Sequence, residues 1–222
     1  MNKQTYGLGV LVAAGSVWGL CEAGLGMYMR GMCARTVTGS VMTAVAILFI
    51  SFSAAYGRKI VGPAIVLGIA IVFKLFDAYL LNLPVLHGAV ANPIFGFVTE
   101  AAAFVLVFAV LDIHLKQKLH GKIILGGLSA LVAVNLFPLV GHVTTISACV
   151  VPGTSYPLSL YYAPIAIGLS MITCPLGMVL GEKFASASER QVGWMIRPVF
   201  ARVAFPSLAA VSLAVMILMR TV

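Results

Sequence analysis

Long apolar runs separated by short polar turns make up most of this chain. The runs lie near residues 7–28, 37–56, 60–83, 92–113, 123–143, 159–181 and 199–219. Each is close to the ~20 residues that an α-helix needs to cross a hydrocarbon core of ~30 Å. The pattern therefore predicts an all-α, polytopic membrane helical bundle of seven spans, forming a single domain over residues 1–222. Six spans is the fallback, because the sixth run contains Pro164 and Pro175 and the seventh could be a peripheral anchor.

Composition and the placement of basic residues agree with a membrane protein. The chain is 61% hydrophobic and 9% charged, whereas soluble domains carry roughly a quarter charged residues. With a cytoplasmic N-terminus, the outer face holds only Arg30, Arg35 and Arg220, and the other basic residues outside the spans are cytoplasmic. This inside-positive bias is the expected one. It accounts for the net charge of +8 and leaves no basic soluble surface for nucleic acid. A cleavable signal peptide is not expected.

Four ionisable residues lie inside the predicted spans: Glu22, Lys74, Asp77 and Glu100. Each costs at least ~2.5–3.5 kcal/mol in hydrocarbon, so such residues usually face a cavity, a partner or a transport path. At 1.5 Å per helical residue, all four lie roughly 9–14 Å below the outer surface. Lys74 and Asp77 are three residues apart, so they share a helix face and can pair. We expect Glu22 and Glu100 to face one another across an outward-facing cavity.

The charge balance of this layer points to a ligand. Three acids and one base leave a formal excess of two negative charges, which favours binding of a cation, a proton or a hydrogen-bonding ligand unless desolvation protonates some acids. One acid is expected to be held by Lys74 and another to be available to the ligand. The alternative is that these residues only neutralise one another and hold the helices together.

Other polar and aromatic residues extend the candidate site. Asn135 in the fifth span is predicted to lie at the same depth, and the uncharged outer loops can cover a cavity with irregular backbone. His87 and His142 are single loop histidines or, as a pair, ligands for a metal or a haem. The candidate ligand-binding set is Glu22, Lys74, Asp77, Glu100, Asn135, Trp18, His87, Asn92 and His142. The sequence assigns no cofactor and no particular metal.

Two segments are candidates for docking a partner subunit. Gly15, Gly19 and Ala23 form a small-residue stripe of the kind that lets membrane helices approach closely. The alternative is that this stripe packs the first span inside its own bundle. Residues 182–202 are predicted to form a cytoplasmic interfacial helix or turn, where Arg190 and Arg197 meet lipid phosphates or a partner while apolar neighbours enter the membrane boundary.

No catalytic motif is present. Gly121-Lys122 lacks the rest of a phosphate-binding loop, and neither H-E-x-x-H nor G-x-S-x-G occurs. The four cysteines form no C-x-x-C pair. Intrinsic catalytic activity is therefore not expected. Cys33 and Cys149 fall in predicted outer loops, where a disulfide is permitted by the compartment.

Two short motifs in the first half of the chain carry a resemblance. They are W-G-x-x-E, from Trp18 to Glu22, and P-x-x-x-x-x-x-E, from Pro93 to Glu100. With the Lys74-bearing span, they resemble the substrate-binding S components of energy-coupling-factor transporters, a family of small bacterial membrane proteins. The resemblance implies a bundle in the bacterial cytoplasmic membrane that captures a vitamin- or metal-type micronutrient from the outer side. It also implies a partner transmembrane subunit with two ATPases.

Two other functions stay open at this stage. The first is a membrane subunit of a redox or respiratory complex, in which the buried acids and Lys74 form a proton or quinone path. The second is a structural or assembly factor whose charges pair only internally. In every case the predicted surroundings are membrane lipid, with other membrane and cytoplasmic subunits as partners.

Overall fold

The computed structural model describes residues 3–31, 35–57, 60–111, 114, 117–144, 150–151, 153–191 and 198–221. These residues are almost entirely helical. The helices, numbered in chain order, are α1 (Lys3–Gly31), α2 (Arg35–Gly57), α3 (Val61–Leu80), α4 (Gly88–Val110), α5 (Leu119–Leu136), α6 (Val140–Thr144), α7 (Leu158–Tyr161), α8 (Ala163–Gln191) and α9 (Pro198–Thr221). A 3₁₀ turn, Phe137–Leu139, joins α5 to α6. The predicted all-α fold class is confirmed.

Seven of the described helical segments are long and apolar enough to span a membrane. They are α1 to α4, the α5–α6 unit, α8 and α9. The prediction of seven spans is therefore confirmed over the six-span fallback. α8 continues through Pro175, which membrane helices tolerate because neighbouring helices and local adjustments satisfy the freed carbonyl. In the fifth span, Pro138 lies within the 3₁₀ turn that ends α5.

The cytoplasmic segment differs from its prediction. Residues 182–191 continue α8 to Gln191, and residues 198–202 belong to α9, so the described parts of the range 182–202 are the ends of two spans; residues 192–197 lie outside the described residues. The apolar character of α8 extends to Ala187, which explains why the helix does not end near residue 181. Arg190 lies in the last turn of α8, and Arg197 lies outside the described residues, as do Cys33 and Cys149. The disulfide and the partner-docking roles of the two arginines stay predictions.

The centre of the bundle lies between α1, α2, α3 and α4. α1 and α4 each pack against both α2 and α3. Large side chains from α1 and α4 meet in the space between them, as Trp18 does with Phe97. These four helices position most of the candidate residues.

Close helix approaches at glycine hold the other side of the bundle together. α8 packs along α2 and also contacts α5. A Cβ at Gly177 would collide with the Leu48 carbonyl of α2, and one at Gly126 would collide with the Ser170 carbonyl of α8. These backbones approach too closely for any larger residue without displacement.

The small-residue stripe of α1 faces inward. A Cβ at Gly15 would lie 2.8 Å from the Cβ of Ile69, and one at Gly19 would overlap the side chain of Phe73. Ala23 is buried in the cluster that contains Phe73. The stripe therefore packs α1 against α3, as in the alternative in which it packs the first span inside its own bundle, and its docking of a separate subunit stays a prediction. A stripe of small residues specifies close approach but not the partner helix.

α9 is the most peripheral span. It packs on α1, with a smaller contact to α3. Only 11% of its membrane-spanning window is buried, against 33–50% for the six other spans. Apolar grooves of about 240 Å³ and 380 Å³ lie on its two sides, the first against α1, α2 and α8 and the second against α3. α9 is therefore the span with the least protein contact to hold it in place.

Candidate ligand-binding site

Four charged side chains from α1, α3 and α9 form one connected series. Lys74 Nζ lies 3.9 Å from Glu22 Oε1 and 3.5 Å from Asp77 Oδ2. Arg220 Nε donates a hydrogen bond of 2.7 Å to Asp77 Oδ1. All four side chains are at most 9% exposed. The predicted pairing of Lys74 with Asp77 is confirmed, and we call Arg220, Asp77, Lys74 and Glu22 the ion ladder.

Arg220 corrects the predicted charge balance. The sequence placed it on the outer face, but its guanidinium is buried against Asp77, with a second, longer contact of 3.4 Å from Nη2 to the Ala23 carbonyl. It lies in the last turn of α9, where its long side chain reaches the end of α3. With Arg220 included, the described side chains of this layer comprise three acids and two bases, so the predicted excess of two acids is reduced to one in this part of the chain.

Glu100 is the acid outside the ion ladder. It is 7% exposed and forms a side-chain hydrogen bond with Thr43 of α2, and its carboxyl interacts electrostatically with Glu22. Within the described part of the chain, no basic nitrogen lies within 4.0 Å of its carboxylate. Among the described side chains, Glu100 is therefore the acid of this cluster that is not paired with a base.

Trp18 borders the same central space. Its side chain is fully buried, stacked on Phe49 of α2 at 6.5 Å and tilted against Phe97 of α4 at 5.0 Å between ring centroids. Phe97 is three residues before Glu100 and therefore on the same side of α4. The Trp18 indole nitrogen has no hydrogen-bond partner among the described residues. A buried donor left unsatisfied costs about 1–3 kcal/mol, so the Trp18 nitrogen is a candidate to donate a hydrogen bond to a ligand.

The cluster is graded in depth. With the N-terminus inside, Arg220 and Asp77 lie near the outer ends of their helices. Glu100 is twelve residues from the start of α4, or about 18 Å along the helix. The ladder therefore leads from the outer ends of α9 and α3 to Glu22, and Glu100 lies deepest.

Asn135 does not belong to this cluster. Its side chain is on the exposed face of α5 and donates a hydrogen bond of 2.7 Å to the Leu131 carbonyl of its own helix. The structure therefore does not bring Asn135 to the ion ladder, and its assignment to the ligand-binding set stays a prediction. Its place along the helix could be derived from the sequence, but the direction in which its side chain points could not.

The outer-loop candidates are not brought into contact with the ladder. His87 is exposed and caps α4, with its Nδ1 accepting a hydrogen bond of 3.2 Å from the Ala89 amide. His142 is exposed in α6. Asn92 lies in the second turn of α4, and its buried Oδ1 has no partner in the described part of the structure. These ligand-binding assignments stay predictions.

The part of the chain that the structure describes brings no three His, Cys, Asp or Glu side chains together in a way that could hold a metal. The two grooves beside α9 have apolar walls and do not reach the ladder. Since Glu22, Lys74, Asp77, Glu100 and Trp18 are each at least nine-tenths buried, the predicted outward-facing cavity is closed in this structure.

The fold and cluster define a multi-pass membrane helical bundle with a buried, mixed-charge polar centre. Comparison with protein-family models, curated proteins and solved structures finds no match to this chain. The resemblance to S components therefore stays an expectation based on the two short motifs. Sequence reasoning missed Arg220 and Thr43. The excess of three acids over one base in the predicted layer was the signal for a missing cationic partner.

Proposed function

We propose that this chain is the membrane-embedded substrate-capture subunit of a micronutrient transporter. In this proposal, a small polar solute enters from the outer side and binds beside Glu100 and Trp18, at the inner end of the ion ladder. One observation carries the proposal: Glu100 is a buried acid without a basic partner among the described residues, and it interacts electrostatically with Glu22, the inner end of the ion ladder.

A purely structural role does not require Glu100. The ladder alone ties α9 to α3 and α3 to α1 through oppositely charged groups. Glu100 adds a third carboxyl near Glu22, and an uncompensated buried charge is destabilising. An acid kept at such a cost is typical of a residue whose partner arrives with a ligand or a proton.

The peripheral position of α9 gives the solute a route. α9 is the least buried of the spans, and its Arg220 donates a hydrogen bond to Asp77. A displacement of its outer end would uncover Asp77 and Lys74 without separating α2 from α8. The structure is therefore suited to alternate between the closed arrangement and one that is open to the outer side.

The remaining parts of the proposal concern partners and surroundings. Because no nucleotide-binding motif occurs in the sequence, energy for transport would come from partner membrane and cytoplasmic subunits. An organic solute fits the described site better than a bare metal ion, since three metal-ligating side chains do not converge there. The proposed location is the bacterial cytoplasmic membrane.

Native mass spectrometry of protein purified in mild detergent tests this function. We expect a bound organic solute in the wild type, its loss in Glu100→Gln, and its retention in Glu182→Gln. Glu182 is a suitable control because it is the half-exposed partner of Lys122, away from the cluster. A bound quinone or haem would support the redox alternative instead. A wild-type protein that carries no solute and confers no uptake in cells would contradict the proposal.

A further inference from the structure

We infer that the solute is a compact organic cation that also carries a hydrogen-bond acceptor, such as a protonated or quaternary amine with a neighbouring hydroxyl or ring nitrogen. This inference rests on the proposed function and names the chemical class that the same site would take. It follows from the juxtaposition of Glu100, the Trp18 indole and two phenylalanine rings.

The charged residues near the space between α1 and α4 indicate the sign of the charge that the solute carries. Among the side chains that the structure describes, the ladder contributes two acids and two bases, and Glu100 adds one more acid. Its hydrogen bond from Thr43 brings no positive charge. A cationic solute would give the cluster a net charge of zero, whereas an anionic solute would add a second uncompensated negative charge in a medium where such charges are costly.

The aromatic walls favour an organic cation over a small inorganic one. Trp18, Phe49 and Phe97 bring three rings together one helical turn from Glu100. Aromatic faces attract ammonium and related cations, with tryptophan the strongest of the three aromatic side chains. An inorganic ion would require several oxygen ligands, whereas the side-chain oxygens found to interact with Glu100 in the described residues are those of Glu22 and Thr43.

We infer the solute's hydrogen-bond acceptor from the indole N–H of Trp18. Trp18 is fully buried, and its N–H has no protein acceptor in the described residues. A solute that offers an oxygen or a ring nitrogen would satisfy this donor while its cationic part contacts Glu100. Two complementary contacts on opposite sides of one small molecule would orient it between α1 and α4.

Fluorescence of Trp18 provides a direct test. The chain has two tryptophans, Trp18 and Trp194, so Trp194→Phe leaves Trp18 as the reporter. Detergent-purified protein would be titrated with choline, histamine and imidazolium, and with 3,3-dimethylbutanol, the uncharged isostere of choline. We expect at least one cation to change Trp18 emission and raise the melting temperature. We expect no response to the isostere.

Three variants separate the contributions of the Glu100 charge and the Trp18 N–H to binding. Glu100→Gln should weaken binding of the responding cation by about tenfold to a hundredfold, because a contact to a charged group is lost. Trp18→Phe keeps a ring but removes the donor, and should weaken binding by about threefold to tenfold. Glu182→Gln should leave binding unchanged. If a tryptophan variant does not fold, the melting temperature of the wild type with each probe gives the same comparison.

The outcomes distinguish this inference from the proposed function. A native mass spectrum with an anionic or neutral solute at the Glu100-dependent site would overturn the cation class and leave the transporter proposal intact. A response to 3,3-dimethylbutanol as strong as to choline, or no response to any cation, would also overturn the cation class. Absence of both a bound solute and cellular uptake would remove the transporter proposal itself.

Discussion

Two halves of this bundle are stabilised by different means. α2, α5 and α8 pack through glycines, and their backbones approach where Gly177 meets Leu48 and Gly126 meets Ser170. α1 also packs on α3 through Gly15 and Gly19, but α1, α3, α4 and α9 surround a centre of charged and aromatic side chains, and α9 is the least buried span. Close backbone packing leaves no room for alternatives, whereas ion pairs between long side chains can exchange partners. The glycine-packed half is therefore suited to be a scaffold, and the polar half is suited to move and bind.

The largest expected effect is in the polar half, at Arg220. Arg220→Met should lower the free energy of unfolding by about 3 kcal/mol, because removal of one partner leaves a buried charge uncompensated. Lys74 still lies beside Asp77, which keeps the loss at the lower end of the range for buried pairs. Unfolding in mixed detergent micelles measures this change.

A second substitution checks the cause. In the double variant Arg220→Met with Asp77→Asn, most of the lost stability should return, because the uncompensated acid is also gone. A double variant as unstable as the single one would show that Arg220 acts by packing rather than by charge.

Substitutions in the glycine-packed half should cause a smaller loss of stability than Arg220→Met, and the cause should be steric. Gly177→Ala should cost about 1–3 kcal/mol, because the added Cβ would collide with α2 and force the helices apart. Gly168→Ala is the matched control in the same helix, since no atom lies within 4 Å of its added Cβ. Equal melting temperatures for the two variants would refute the scaffold interpretation.

Substitution of Glu100 should affect ligand binding much more than stability. Glu100→Gln keeps the size and hydrogen-bonding capacity of the side chain and removes its charge. The free energy of unfolding should change by less than about 1 kcal/mol, since the lost carboxylate had a desolvation cost of its own. The same variant should lose cation binding. A loss of stability as large as that of Arg220→Met would instead make Glu100 a structural member of the cluster.

The smallest effect is expected at the Lys122–Glu182 pair, which joins α5 to α8 away from the cluster. The two charged atoms are 2.7 Å apart, and the Lys122 side chain is 7% exposed and that of Glu182 51% exposed. Glu182→Gln leaves an amide oxygen that can still accept a hydrogen bond from the buried Lys122. Pairs with solvent-accessible partners contribute about 0.2–1 kcal/mol. Glu182→Gln should therefore lower the melting temperature only slightly, and a loss comparable with that of Arg220→Met would contradict this ranking of the two pairs.

Hydropathy was sufficient to predict the spans and the charged layer. Seven apolar runs became seven helices, because burying a backbone in lipid requires continuous helices. The spacing of Lys74 and Asp77 on one helix predicted their pairing, which depends on local geometry alone. These features are determined by composition and periodicity within a single segment.

Contacts between distant helices could not be predicted in this way. Arg220 is 143 residues from Asp77, and an arginine at the end of a span is normally expected to extend toward the interface. Asn135 lies at the predicted depth but on the outside of α5, because rotation about the helix axis depends on neighbouring helices. The stripe of Gly15, Gly19 and Ala23 likewise packs against α3 of the same chain, which its spacing alone did not predict.

The distance in sequence between Asp77 and Arg220 has a consequence for biosynthesis. A ribosome that adds 5–20 residues per second needs about 7–30 s to make the 143 residues that separate them. During this interval α3 enters the bilayer with an acid whose final partner does not yet exist. Lys74, made one helical turn earlier, is the local counterion that can accompany Asp77 through insertion. The contact between Arg220 and Asp77 is therefore formed last, when α9 is inserted beside Lys74 and Asp77, which have entered the membrane earlier.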